Sequence, residues 1–255
     1  NRMTKLNGGT PISDGPFRNG SMYLTYTNEG MPIGAFWGYK TDGLIQTQEQ
    51  LNAVKRADFQ PNAELGDVLF VDTNGDGKLD SSDRCMIGNP IPDIIYGINM
   101  GMAWKGFDLN LQFGGTIGNQ IFNAMRYYTY FPNDITNKDR ALMNYWTPNN
   151  TNTDIPRLTA TDVNDNDRFS DMYVENGTYF RLRNAQLGYT LPASLTQRIK
   201  LQKVRFYVSG QNLFTISSYS GMDPEVGQSS SLSRGIDYGI YPQNISFTGG
   251  INVTF

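Results

Sequence analysis

The sequence has 255 residues, contains no histidine, and has a single cysteine, Cys85. Without histidine the chain has neither the commonest general base nor the commonest zinc ligand, so histidine-dependent catalytic triads are excluded within it. One cysteine cannot form a disulfide within the chain. No nucleophile motif occurs, and no pair of carboxylates has a spacing that singles out hydrolysis. These absences predict that the chain is not an enzyme.

Charge and long apolar runs are also scarce. Charged residues make up 18% of the chain and its formal net charge is −3, which argues against nucleic acid as a partner. No run of about 18 apolar residues is present, so no membrane-spanning helix is expected. This does not exclude a membrane, because strands of a barrel cross it with only about ten alternating residues each.

Alternation of apolar and polar residues is what the sequence does contain. Residues 94–104, 107–113, 204–211 and 247–255 each place apolar side chains at every second position, the period of a strand with one apolar face. A further strand is predicted over 178–191, where the alternation changes phase and indicates a bulge.

The connections between these strands alternate in length. Lys105-Gly106 is a two-residue hairpin signal and 192–203 is a moderate turn, whereas 7–92, 114–177 and 212–246 are long. Short turns on one side and long loops on the other are typical of outer-membrane barrels. Periodicity favours such a barrel, and a soluble β-sandwich remains the alternative.

The long segments contain two helix signals and one metal-binding motif. Helices are predicted over 46–57 and 137–148, the second ended by Pro148. Residues 72–83 read DTNGDGKLDSSD and match an EF-hand calcium loop, with Gly77 at the sharp turn. The predicted Ca²⁺ ligands are Asp72, Asn74, Asp76, the backbone carbonyl of Lys78, Asp80 and Asp83. The alternative is an Asx-rich turn held by its own hydrogen bonds.

Several stretches resemble the SusC/RagA family of TonB-dependent outer-membrane transporters of Bacteroidetes. The resemblance covers nearly the whole chain and rests on MPIGAFWGYKTDGL, GDVLFVDTNGDGKLDSSDRCMIGNPIPDIIYGINMGMAWKGFDLNLQFGGTIGNQIFN, NYWTPNNTNTDIPR, YFRLRNAQLGYTLP and VRFYVSGQNLF. It implies an all-β fold, an antiparallel transmembrane β-barrel segment with long extracellular loops. Residues 1–255 would supply the C-terminal strands of a roughly 22-stranded barrel.

The resemblance also implies an organisation, a function and partners. Residues 7–92 would form an extracellular loop region that includes the calcium loop, and 93–255 the barrel strands with their loops. Family members import oligosaccharides or peptides, with a plug domain, TonB and a SusD-like lipoprotein lid. Arg181, Arg183 and Arg205 are expected to face the lumen and to pair with carboxylates of the barrel wall or plug. The rival interpretation is a secreted, soluble β-rich binding or adhesion module with a structural calcium loop.

Aromatic residues in the long segment 114–177 are candidates for substrate contact, because aromatic faces stack on sugar rings or pack against peptide side chains. The candidates are Tyr127, Tyr128, Tyr130 and Trp146. The alternative is that these rings pack the loops against each other or against the lid.

Overall fold

The computed structural model describes residues 1–131, 137–227 and 230–255, apart from the side chain of Ile199. Strands dominate these ranges. They are β1 (Ile12–Phe17), β2 (Met22–Thr27), β3 (Ala35–Gly38), β4 (Thr41–Leu44), β5 (Val68–Phe70), β6 (Cys85–Gly88), β7 (Ile94–Trp104), β8 (Phe107–Ile117), β9 (Gln120–Asn123), β10 (Val174–Asn176), β11 (Tyr179–Thr190), β12 (Lys203–Ser217), β13 (Ile236–Asp237) and β14 (Ser246–Thr254).

Helices are few and short. They are the α-helices α1 (Gln48–Arg56), α2 (Ala124–Tyr130) and α3 (Ala193–Thr196), and the 3₁₀ turns Ser81–Asp83, Arg140–Asn144, Asp171–Tyr173 and Gln197–Ile199. The helix predicted over 46–57 is confirmed, because Thr47 and Gln50 form a capping box that starts α1. The stretch 137–148 forms only the 3₁₀ turn that Asp139 caps. Among the described residues, no helix has the length and apolar character needed to cross a membrane.

The chain divides into two compact units. Unit 1 comprises Asn1–Ile91, Gln120–Glu175 and Glu225–Ile240, and unit 2 comprises Pro92–Asn119, Asn176–Pro224 and Tyr241–Phe255. Two segments from the predicted long connections therefore join residues 1–91 in a single unit. The predicted division separates two continuous segments at residue 92/93, whereas each compact unit combines three separate segments of the chain.

Unit 1 is built from small sheets around apolar clusters. β1, β2, β3 and β6 form an antiparallel sheet in that order, β4 pairs with β5, and β9 lies between β10 and β13. Its largest cluster is rich in aromatic rings that meet edge to face, such as Phe17 against Phe122 at 5.5 Å between ring centroids. The cluster's buried members are Phe17, Leu24, Phe36, Phe122, Ala124, Tyr127, Phe131, Phe169, Tyr173 and Ile236.

Unit 2 is a five-stranded antiparallel sheet in the order β14-β12-β11-β8-β7. All five strands predicted from alternation are present, and β8 and β12 run further than predicted. The hairpin β7–β8 turns at Lys105 and Gly106, whose φ angles of 47° and 87° suit a two-residue turn.

The phase change predicted within 178–191 is a bulge. In β11, Leu182 pairs with Phe113 and Asn184 with Gln112, which leaves Arg183 as the extra residue. The extra residue returns Ala185 and its alternate neighbours to the face that Leu182 occupies. The two apolar sets of this strand therefore share one face.

The strand register gathers the alternating side chains of unit 2 into one continuous surface, which we call the apolar face. Because partners across antiparallel strands point to the same side, each row of the sheet is apolar on that face. Its exposed members include Met100, Met102, Trp104, Phe107, Leu187, Phe206, Val208, Phe247 and Ile251. The opposite face is polar, with Gln186 between Asn110 and Ser209.

Candidate functional site

The candidate substrate residues lie in unit 1, and α2 carries three of them. Asn123 caps this helix by accepting a hydrogen bond from the backbone N–H of Arg126. Tyr127 and Tyr128 follow at adjacent positions, so their rings leave the helix in different directions. Tyr127 is 4% exposed and belongs to the large aromatic cluster, whereas Tyr128 is only partly buried beside Phe17 at 5.2 Å.

A hydrogen-bonded chain joins Tyr127 to the β1–β2 hairpin. Nη1 of Arg18 donates to the Tyr127 hydroxyl at 3.1 Å and to Oδ2 of Asp167 at 2.6 Å. The Tyr127 hydroxyl in turn donates to the backbone carbonyl of Asp167 at 2.9 Å. Burial raises the pKa of Tyr127, with Asp167 acting in the same direction. The phenol therefore stays protonated and holds the guanidinium in place.

A cavity of about 500 Å³ opens at this chain of hydrogen bonds. Its polar wall consists of Arg18, Asn19, Ser21 and Asp167. Its aromatic wall consists of Tyr127, Tyr128 and Phe131. We call it the Arg18 recess. Its volume falls within the range of about 300–1,000 Å³ that small-molecule sites occupy.

The other two candidate aromatics lie elsewhere in unit 1. Tyr130 stacks on the guanidinium of Arg126 at 4.9 Å, and Arg126 also pairs with Asp154 at 2.5 Å. Trp146 is 6% exposed, packs over Gly66, and donates through Nε1 to Gln46 at 2.8 Å. The structure thus brings Tyr127 and Tyr128 to one cavity and leaves Tyr130 and Trp146 outside it. Substrate contact by these residues stays a prediction.

Sequence reasoning missed the polar half of the recess. Arg18 and Asn19 occupy the turn of the β1–β2 hairpin with φ angles of 48° and 58°, followed by Gly20 at 82°. The Asn-Gly pair is a hairpin signal that identifies the turn. It carries no information on its neighbours, because Arg18 and Tyr127 are 109 positions apart.

The predicted calcium loop connects β5 to β6, and its first half has a tightly turned backbone. Oδ1 of Asp72 accepts from the Gly75 N–H at 2.6 Å, and Oδ2 accepts from the Gly77 N–H at 2.9 Å. Asn74 and Asp76 each accept from the N–H two residues further on. Gly75 and Gly77 have φ angles of 78° and 77°, which favour glycine.

The second half of the loop anchors it to unit 1. Asp80 caps the 3₁₀ turn Ser81–Asp83, and the side chain of Asp83 accepts from the backbone N–H groups of Asp80 at 2.9 Å and Thr73 at 3.0 Å. Asp83 is fully buried. Leu79, the apolar position of the motif, packs against the cluster that contains Trp146.

These residues fit calcium in chemistry and turn geometry, since carboxylate, amide and carbonyl oxygens are the ligands it prefers. Hydrogen bonds led by the one from Gly77 lower the pKa of Asp72, which keeps that carboxylate ionised. Over the described ranges, however, no three acidic or thiol side chains converge on one point. The loop also shows the self-hydrogen-bonded pattern of an Asx-rich turn. Calcium binding by Asp72, Asn74, Asp76, Lys78, Asp80 and Asp83 therefore stays a prediction.

Comparison with known proteins shows similarity to TonB-dependent receptors. TonB-dependent receptor P3 of Formosa agariphila is 37% identical over 100% of this chain and 26% of the relative. TonB-dependent receptor SusC of Bacteroides thetaiotaomicron is 29% identical over 77% of this chain and 18% of its own. The RagAB peptide importer in its open-open state superposes with a TM-score of 0.71 at 25% identity, over 100% of this chain and 25% of that one. No family model matches.

The chain belongs to the SusC/RagA family of TonB-dependent receptors. It spans about a quarter of the length of the relatives that it matches over most of its residues. The five-stranded sheet of unit 2 is a segment of the antiparallel β-barrel of this family, as expected from the alternation. The relatives are named as receptors and transporters and not as enzymes.

Arg181 and Arg205 pair with carboxylates as expected in this SusC/RagA sheet, and Arg183 donates to the Tyr179 hydroxyl at 3.1 Å. Arg181 is 2% exposed, and its Nη2 contacts Oδ1 of Asp223 at 2.6 Å while Nε donates to Thr215. Arg205 on β12 forms a two-point pair with Asp108 on β8. This pair lies across β11 at Gly188, where a Cβ atom would stand 2.4 Å from both side chains. Only glycine leaves room for the pair.

Proposed function

We propose that this chain forms part of the wall and outer loops of an outer-membrane importer that takes up oligosaccharides or peptides with energy from TonB. The observation that carries the proposal is the apolar face of unit 2, where Val208 is 59% exposed and Phe247 is 78% exposed. A contiguous surface of this kind costs free energy in water and is favourable against lipid. The similarity to TonB-dependent receptors supports the same function.

The whole importer would include parts beyond this chain. We propose a plug domain, further barrel strands, TonB as the source of energy, and a SusD-like lipoprotein as the lid over the loops. Unit 1 suits the loop role because its apolar residues are buried in clusters of its own. A Ca²⁺ ion bound in the 72–83 loop would stabilise the conformation of that loop, and Leu79 connects the loop to the cluster that contains Trp146.

Cell fractionation tests the proposal directly. The polypeptide that carries this chain should appear in the outer membrane, require detergent for extraction, and change its gel mobility on boiling as folded barrels do. Uptake of its nutrient should stop when TonB is deleted. A polypeptide that is secreted and stays monodisperse without detergent would instead support the soluble adhesion module.

A further inference from the structure

We infer that the Arg18 recess is a binding site for uncharged oligosaccharides, formed by the tip of the β1–β2 hairpin and one face of α2. The inference rests on the proposed import function and names the substrate class within it. It concerns unit 1 alone, since every residue that lines the recess belongs to that unit.

The polar wall of the recess is neutral overall. The side chains of Arg18 and Asp167 are 47% and 31% exposed, and their contact at 2.6 Å cancels the two charges at the mouth of the cavity. A charged ligand therefore gains little attraction here. A ligand with neutral groups that both donate and accept hydrogen bonds matches the wall better.

Hydrogen-bonding capacity remains on that wall. Within the part of the chain that the structure describes, Nη1 makes both hydrogen bonds of the Arg18 guanidinium, and the side chain is 47% exposed, which leaves Nε and Nη2 as donors for a ligand. Asn19 and Ser21 are exposed and add an amide and a hydroxyl. Adjacent donors and acceptors of this kind suit the neighbouring hydroxyls of a sugar ring, each of which donates and accepts.

The aromatic wall supplies the second requirement of a sugar site. Tyr128 is the partly exposed ring of the recess, and its orientation is set by Phe17 at 5.2 Å and Tyr127 at 5.7 Å. A fixed aromatic face packs against the C–H face of a pyranose with little loss of side-chain entropy, because a tyrosine side chain has only two torsion angles. Tyr127 and Phe131, which are buried, complete this wall.

The recess is preorganised, which favours ligand binding without rearrangement. Three consecutive residues with positive φ fix the hairpin tip, and the Ser21 hydroxyl closes it by donating to the Arg18 carbonyl at 2.9 Å. The buried Tyr127 hydroxyl then positions the guanidinium. Such fixed polar groups lower the entropic cost of binding.

A peptide suits the same surface less well. Extended peptides are commonly held by main-chain hydrogen bonds to a free strand edge, or by an unpaired charge that captures a terminus. The recess is lined by a turn, a helix and a loop, and its charges are already paired. Peptide binding is therefore the competing outcome of the test below.

The test uses the polypeptide that carries this chain, purified in detergent. Calorimetric titration with malto-, cello-, laminari-, xylo- and mannohexaose is compared with titration by a pool of random octapeptides. We expect a hexasaccharide to bind wild-type protein, and Tyr128→Leu, which keeps apolar volume against Phe17, to weaken it by about tenfold or more. Arg18→Gln should weaken it as well, and Tyr23→Ala, an exposed tyrosine outside the recess, should not.

Three results would overturn the inference. They are binding of the octapeptides with none of the hexasaccharides, binding of neither, and hexasaccharide binding that both recess variants leave unchanged. Thermal unfolding of each variant shows whether it is folded. If Tyr128→Leu does not fold, Arg18→Gln still tests the recess. TonB-dependent uptake is measured separately, so that failure of the recess is distinguishable from failure of the proposed function.

Discussion

The two units use similar apolar side chains in opposite ways. In unit 1 the large apolar residues meet each other, and all three buried apolar clusters of the described chain lie there. In unit 2 the same residue types point outward, as Met102 at 62% and Ile251 at 60% exposure illustrate. The difference indicates that unit 1 is stabilised by its own interior, whereas the sheet of unit 2 depends on an apolar environment outside it.

Both units contain ion pairs, and unit 1 adds a network of buried amides. Unit 2 has few apolar side chains buried beneath its sheet, and its polar side is ordered by ion pairs such as Arg181 with Asp223. Unit 1 ties its segments together through buried amides, as when Gln60 binds the backbone of Val68 and Phe70 and the side chain of Asn164. Variants in each unit can therefore test which interactions maintain it.

The largest effect is expected at the buried ion pair of unit 2. Asp223→Ala removes the carboxylate next to Arg181, and breaking a buried pair from one side costs about 3–5 kcal/mol. Thermal unfolding of the detergent-purified polypeptide should show this loss. The double variant Arg181→Met/Asp223→Leu should recover most of it. If the single variant costs no more than the double one, an uncompensated Arg181 charge is not the source of the loss.

The second largest effect is expected from a charge introduced on the apolar face. Leu187→Arg places a guanidinium where lipid is expected, at a cost that reaches about 2–4 kcal/mol at the middle of a bilayer and falls towards its interfaces. The amount of heat-modifiable protein in the outer membrane should fall. Gln186→Arg is the matched control, because it lies one position away on the polar face. Equal assembly of the two variants would refute the lipid-facing assignment.

The stability of unit 1 should be lowered by substitutions that disturb its interior packing rather than by exposed charges. At Gly66, φ is 84° and a Cβ atom would stand 2.2 Å from the ring of Trp146. Gly43 has a similar φ of 73° with no atom within 4 Å of that position. Gly43→Ala therefore measures backbone strain alone, about 1–2 kcal/mol. We expect Gly66→Ala to cost more and to change the near-ultraviolet circular dichroism, and equal losses would contradict the packing role of Trp146.

Calcium should stabilise unit 1 if the 72–83 loop binds it. A ligand at a hundred times its Kd adds about 2.7 kcal/mol to the unfolding free energy. We expect millimolar Ca²⁺ to raise the melting temperature over EGTA in wild type and in Asp42→Ala, an exposed control. Asp76→Ala should lose most of this increase. A wild-type melting temperature that is the same in calcium and EGTA would leave the loop as an Asx-rich turn.

The smallest effect concerns pH and Asp162 in unit 1. Burial raises the pKa of this carboxyl, although the N–H groups of Asn166 and Asp167 oppose the shift. The folded state therefore binds the proton more tightly than the unfolded state, so stability falls as the pH rises from about 4 through the raised value. Asp162→Asn should flatten this part of the profile by less than about 1 kcal/mol.

Local patterns predicted unit 2 better than unit 1. Alternation located the strands, Lys105-Gly106 the hairpin, and the phase change the bulge, because each signal lies within a few residues. The assembly of unit 1 depends on distant partners. Arg157 pairs with Asp67 from 90 positions away, and no single-sequence pattern links them. For the same reason the sequence indicated Tyr127 and Tyr128 as candidates but not the polar residues that meet them in the Arg18 recess.

The bulge at Arg183 has a consequence for how the gene for this chain tolerates change. Leu182 and Asn184 already face consecutive partners on β8, so the ladder has no place reserved for the residue between them. An in-frame loss of codon 183 would give β11 a regular register against β8 and leave the following side chains on their present faces, while Asn212 and Leu213 of β12 would still lie outside the register on the other edge. This position of β11 therefore tolerates the loss of one residue without reversing the faces of the strand. We expect related strands to differ in length here.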